Sequence, residues 1–151
     1  MMQTLRSTSR TLITSLDMIS PLLDIFIRWY VAKVFWMSGL TKIQSWESTV
    51  SLFENEYRVP FLPPELAAYA GTFTELFFPV LLVLGLGTRF AALVLFVFNI
   101  VAVVSYPDLN EVGRMQHFYW GLLLAIPLLH GPGKLAVDHL IRRRFDDRTQ
   151  A

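Results

Sequence analysis

Four long apolar runs separated by short charged gaps constrain this chain more than any other feature. They fall at about residues 21–41, 65–86, 89–106 and 115–131. Each approximates the ~17–25 residues with which a helix crosses ~30 Å of hydrocarbon, the fourth being the shortest. Hydrophobic residues make up 54% of the chain and charged residues 17%, against about 25% charged in an ordinary soluble domain. Four such runs packed as a soluble core would leave too little polar surface to cover them. The expected fold class is therefore all-α: a transmembrane four-helix antiparallel bundle, with a short interfacial helix in the first outer loop. The expected organisation is an N-terminal cytoplasmic segment over 1–20, a transmembrane domain over 21–133 and a basic cytoplasmic tail over 134–151.

The first run does not read as a cleaved signal peptide. It follows some twenty mostly polar residues and contains Asp24, Arg28 and Lys33, whereas signal cores are short and uncharged. Ahead of it, Leu5, Leu12, Leu16 and Ile19 recur at near-helical spacing with Arg6 and Arg10 among them. That pattern suits a helix lying on the membrane surface; a disordered tail is the alternative.

Basic residues set the expected orientation. One side would hold Arg6, Arg10, Arg89, Lys134, Arg142, Arg143, Arg144 and Arg148; the other would hold only Lys42, Arg58 and Arg114. The richer side belongs in the cytoplasm. Both termini are therefore expected inside a bacterial plasma membrane, with residues 43–64 outside.

That outer loop carries Trp46, Val50, Phe53 and Tyr57 on one helical face, with Glu47, Glu54 and Glu56 off it. Ser45 is placed to cap it, and Pro60, Pro63 and Pro64 end it and start the next helix. The short helix is either a lid over the bundle or an anchored connection. Gly85 to Arg89 forms a tight hairpin, too short and apolar for a phosphate loop, and Gly131-Pro132-Gly133 ends the fourth helix.

Ionisable groups inside a bilayer are expensive, face the bundle interior and are functional candidates. The candidates are Arg28, Lys33, Glu75, Asn99 and His117. Asp24 and Arg28, at i and i+4, can pair. Arg28, Gly39 and Lys42 share a face, while Lys33 points about 140° away from Arg28. Glu75 is the most informative. Pro79, four residues on, cannot donate to its carbonyl, and Ala67 and Gly71 on the same face let another helix approach. Glu75 reads either as a site for a proton, quinone or cation or as a salt-bridged clasp that sets helix register. Counting depth from the inner helix ends, its expected partner is Lys33 first and Arg28 second.

Net charge is +1, so nucleic acid is not an expected partner. The chain has no cysteine, which excludes a disulfide, thiolate zinc, iron–sulfur ligation and any thiol relay within it. His117, His130 and His139 are too far apart for a helical ligand pair, so no metal site is expected. No flavin, haem or dinucleotide motif is present, and quinone is the one cofactor left open.

Three pieces in order resemble DoxX-type membrane proteins. They are Arg28-Trp29-Tyr30 with Gly39-Leu40-Thr41-Lys42, then Glu75 with Leu84-Gly85-Leu86-Gly87-Thr88-Arg89, then Gly131-Pro132-Gly133-Lys134-Leu135-Ala136-Val137-Asp138. The likeness covers about residues 22–140, with Ala136 where a serine is common and Ala32 where a glycine is common. The stretches 38–49 and 60–64 are similar to the branch found beside copper-handling, bufferin-type clusters. The resemblance implies a four-helix membrane bundle and marks Gly39, Lys42, Gly85, Arg89, Gly133 and Asp138 as motif positions. It implies an accessory or scaffold subunit of a redox or metal-stress system, without autonomous catalysis and working with a membrane or periplasmic protein or as a homo-oligomer. A quinone-linked oxidoreductase subunit and a transporter component for metal or modified peptide are the alternatives.

Overall fold

The computed structural model describes residues 2–149, with the side chains of residues 14, 16 and 18–145. Among the described residues the regular secondary structure is all α-helix: α1 (Met2–Gln44), α2 (Trp46–Asn55), α3 (Pro64–Leu84), α4 (Thr88–Ser105), α5 (Glu111–His130) and α6 (Val137–Thr149). α1, α3, α4 and α5 form the bundle. α1 packs along α3 and touches α5, α4 lies between α3 and α5, and the short α2 lies on α3 and α1. The end carrying the α3–α4 turn is called the hairpin end, and the end carrying α2 the lid end.

Two of these helices, α3 and α4, are by length and composition apolar enough to cross a membrane. α1 and α5 pack beside them and carry more of the polar groups. The packing is that of a membrane protein. Ala67, Ala68, Gly71, Ala91 and Ala92 are buried at helix contacts, whereas Phe73, Phe77, Phe90, Phe118 and Leu122 face outward. Lipid tails are as apolar as side chains, so helices gain by close backbone approach at small residues rather than by hiding large ones.

α1 departs from expectation. It is one continuous helix of 43 residues, about 65 Å at 1.5 Å per residue, and residues 2–20 continue the helix that contains the first apolar run. The side chains of Leu5, Arg6, Arg10 and Leu12 lie outside the described residues. α5 starts at Glu111, capped by Asn110 Oδ1, which accepts the Gly113 amide at 2.8 Å. The basic tail contains α6.

The amphipathic segment expected in the first loop is α2. Thr49 and Phe53 are buried, and the expected face turns to the bundle, with Trp46 against Tyr69 at 4.5 Å and Tyr57 against Tyr106 at 5.0 Å. Ser45 holds the N-cap position but makes no side-chain cap; its hydroxyl bonds Ser48 Oγ at 2.7 Å instead. Pro64 opens α3.

The hairpin end is a clasp. Gly85 closes α3 at φ 70°, and the Leu86 amide reaches back to the Leu81 carbonyl at 3.0 Å, a left-handed closure that glycine makes without strain. Gly87 caps α4 with no side chain of its own. Asp138, from α6, supplies the cap from a distance. Its two oxygens accept the Gly87 and Thr88 amides, each at 2.8 Å, and its own amide donates to the Gly85 carbonyl at 2.9 Å. Burial draws the Asp138 carboxyl upward, but the Thr88 and Gly87 amides and the charge of Arg142 outweigh it and hold it below its ordinary value.

Candidate functional site

The expected partners of Glu75 are corrected by the structure. Glu75 pairs with Lys42, neither with Lys33 nor with Arg28. Lys42 Nζ donates to Glu75 Oε1 at 2.8 Å and Oε2 at 2.6 Å, and to Ser38 Oγ at 3.0 Å. Ser38 Oγ in turn donates to Glu75 Oε1 at 3.1 Å. All three ammonium protons have acceptors, and the two side chains are 14% and 6% exposed.

Register explains the correction. Because α1 runs on past the hairpin end, its depth cannot be counted from residue 21. Arg28 lies level with Gly85, where an added Cβ would overlap the guanidinium. Gly39 lies level with Glu75, where an added Cβ would stand 3.0 Å from Glu75 Cβ and 2.9 Å from Leu76 Cδ2. Lys42 sits almost one turn beyond Gly39, and helical side chains lean toward the N-terminus, so its ammonium swings back onto the carboxylate. Lys33 lies nearer the hairpin end on the outer surface, its ammonium over the Trp29 ring at 5.4 Å.

Two cavities flank the pair. One of about 130 Å³ is lined by Phe53, Tyr57, Thr74, Phe98 and Ser105 together with the pair. The other, about 210 Å³, is lined by Phe35, Ser38, Tyr57, Tyr106, His117 and Trp120 together with the pair. Ser105 is 1% exposed, and its hydroxyl has no hydrogen-bond partner among the described residues. Burying a hydroxyl without a partner costs roughly 1–3 kcal/mol, so this donor is free for a guest. Tyr57 is shared by both cavities. Burial first, then Glu75, Tyr106 and Glu56, raise its phenol above the ordinary value, so it stays a neutral donor. Over this chamber α2 and the α4–α5 turn form the roof, tied by Tyr106 Oη to Glu56 Oε2 at 2.9 Å and by the Arg58 amide to the Ser105 carbonyl at 2.7 Å.

Asn99 and His117 form a reciprocal pair. Asn99 Nδ2 donates to the His117 carbonyl at 2.9 Å, and its Oδ1 lies 2.8 Å from His117 Nδ1. The amide orientation leaves Nδ1 as the donor and Nε2 as the remaining ring nitrogen. The ring rests edge-on against Trp120 at 4.8 Å.

The remaining motif positions gather at the hairpin end. Arg28, 2% exposed, donates through Nη2 to the Leu135 carbonyl at 2.9 Å. Lys42–Glu75 is the one ion pair among the described residues, so the possible i, i+4 pair of Asp24 and Arg28 does not form. Asp24 instead packs on Gly133, where an added Cβ would meet Oδ2 at 2.7 Å. Arg89 Nη2 donates to the Leu129 carbonyl at 3.3 Å, near the end of α5. The motif therefore splits. Gly39, Lys42 and Glu75 build the chamber, whereas Arg28, Gly85, Arg89, Gly133 and Asp138 hold the helices together.

Ser38, Tyr106, Trp120, Phe98 and Ser105 were not singled out from the sequence. For Ser38 a signal existed: it stands four residues before Lys42, on the same helical face.

The geometry defines a four-helix membrane bundle with a polar chamber under a short amphipathic helix. The chain belongs to the DoxX family, whose family model matches residues 23–107. That match takes in the chamber pair and the α3–α4 hairpin but ends before Gly131–Asp138. A similar protein from Haemophilus influenzae, described as uncharacterized, is 29% identical over 134 residues, covering 83% of this chain and 87% of the relative. No solved structure matches the chain.

Proposed function

We propose that this protein is an accessory membrane subunit of a redox or metal-stress system, and that its chamber binds a small ligand for a partner that performs the chemistry. The observation that carries the reading is a fully hydrogen-bonded Lys42–Glu75 pair in the walls of two cavities, beside an unpartnered Ser105 hydroxyl. Buried ion pairs stabilise poorly against apolar packing, and a pair kept beside open volume suits recognition. Two-electron chemistry needs a cofactor or thiols, and the chain has no cysteine; the redox step is assigned to the partner. Crosslinking in native membranes is expected to recover one redox or metal-handling protein with the parent chain. Recovery of this chain alone would count against an accessory role.

A quinone-type headgroup is the ligand class favoured by the aromatic walls at Phe98, Tyr57, Tyr106 and Trp120 with donors at Ser105 and Tyr57. A short-chain ubiquinone is expected to quench tryptophan fluorescence saturably, with most of the saturable part lost in Trp120→Phe. Quenching that stays linear in quinone concentration, or is indifferent to Trp120, would reject the quinone.

The charge bias supports an orientation in a bacterial plasma membrane with the hairpin end and both termini inside. Reporters fused after Ala151 and near Glu54 are expected to read cytoplasm and exterior respectively; the reverse would overturn the orientation.

A further inference from the structure

Lys33 has no role in the chamber. It is exposed on the outer surface of α1, on a face shared with the exposed Trp29, Tyr30, Trp36 and Met37, and it makes no ion pair among the described residues. It lines a groove of about 290 Å³ between α1 and α3, whose other walls include Trp29, Trp36, Pro79, Val80 and Val83. The groove is apolar apart from the one ammonium. A cation on the lipid face is costly unless it reaches the interface or a counter-charge.

Depth identifies the counter-charge. Arg28 is level with the Gly85 turn, and Lys33 lies five residues further along α1, about 7.5 Å deeper in the bilayer. The side chain does not stay at that depth. It leans back one turn and places Nζ over the Trp29 ring, within a residue or two of the hairpin level. The ammonium therefore sits at the interface of that leaflet, beside a half-exposed tryptophan of the kind that marks headgroup depth. A carboxylate on a partner helix would have to lie deeper to fill the groove. A lipid phosphate lies where the ammonium already is, with its acyl chain running up the groove past Trp36, Val80 and Val83.

We propose that the α1–α3 groove is a binding site for an anionic glycerophospholipid of the leaflet at the hairpin end. Lys33 and Trp29 hold the phosphate, and the walls around Trp36 and Pro79 hold one acyl chain. Pro79 serves the groove by shape, since its ring and the small Ala32 opposite leave room between the helices. The inference depends only on membrane embedding and is independent of what the chamber binds.

The test uses the full chain in nanodiscs containing phosphatidylglycerol or phosphatidylcholine with brominated chains, mixed with the unbrominated lipids. Bromine quenches tryptophan on contact, and Trp29 and Trp36 line the groove. The parent is expected to prefer phosphatidylglycerol by about fivefold, the size of one basic side chain's interaction with an anionic headgroup. Lys33→Gln should abolish the preference while leaving quenching by either lipid in place, and Lys33→Arg should keep it. Trp36→Phe should lose most of the selective quenching. Inorganic phosphate at millimolar concentration should displace nothing. A parent without preference, a Lys33→Gln variant that retains it, displacement by free phosphate, or a groove found crosslinked to another protein would each overturn the proposal.

Discussion

Replacing Glu75 by alanine is expected to lower the stability of the bundle by about 3–5 kcal/mol, the usual cost of stranding one member of a buried ion pair. Lys42 would lose two of its three acceptors and keep only Ser38, which itself loses the carboxylate it donates to. Glu75→Gln should cost less, because the amide oxygen still accepts from Lys42. The informative variant is the double substitution Lys42→Met with Glu75→Met. It removes both charges and fills the space with apolar atoms, a change that is often neutral or stabilising in other proteins. Its stability in a denaturant titration of detergent-solubilised protein should return to within about 1 kcal/mol of the parent. If the pair serves the chamber, the same variant should bind no ligand and fail in the cell. A double variant that is stable and fully functional would reduce the pair to a clasp. A Glu75→Ala variant as stable as the parent would show that the carboxylate is not held as the geometry has it.

The architecture was legible in the sequence because its signals are local. Apolar runs, the Gly85–Arg89 turn and the 46–57 periodicity each depend on residues close together in the chain, and each corresponds to an element of the fold. The polar cost of burial made Glu75 stand out for the same reason. Its partner was not legible, because pairing depends on how far α1 slides along α3. That offset is set by Gly39 against Leu76 and by Arg28 under Gly85, contacts across more than thirty residues. Counting from an assumed inner end put Lys33 at the depth of Glu75, and the continuation of α1 to Met2 removed the basis for the count. Asp138 was marked as a motif position but its role was equally hidden: it caps α4 from fifty residues away, and no spacing rule reports a cap delivered by another helix. The chamber walls come from α1, α2, α3, α4, α5 and the segment after α2, so a residue such as Ser105 has no mark of its function until the helices are assembled.

Gly85→Ala is expected to be more damaging than its single added methyl suggests. The residue sits at φ 70°, a conformation that costs a side chain of order 1–3 kcal/mol. The new Cβ would also overlap Arg28 Nη1 and stand 2.5 Å from Ala136 Cβ and 2.9 Å from Ala136 Cα. A side chain could swing away, but the Ala136 backbone is held by the Asp138 amide on the Gly85 carbonyl at 2.9 Å. Relief therefore means moving the α5–α6 connection as a unit, and overpacking of this kind costs a further ~1–3 kcal/mol. The total, about 2–6 kcal/mol, should be read as lost folded protein in a thermal or denaturant series. Gly87→Ala provides the contrast. It too has positive φ, 57°, but nothing lies within 4 Å of an added Cβ, so it should show the backbone strain alone and cost about 1–3 kcal/mol. Equal losses at the two glycines would mean that Arg28 and the α5–α6 connection do not press on the hairpin, and that the clasp joining α1, α3, α4 and α6 at this end is looser than the geometry requires.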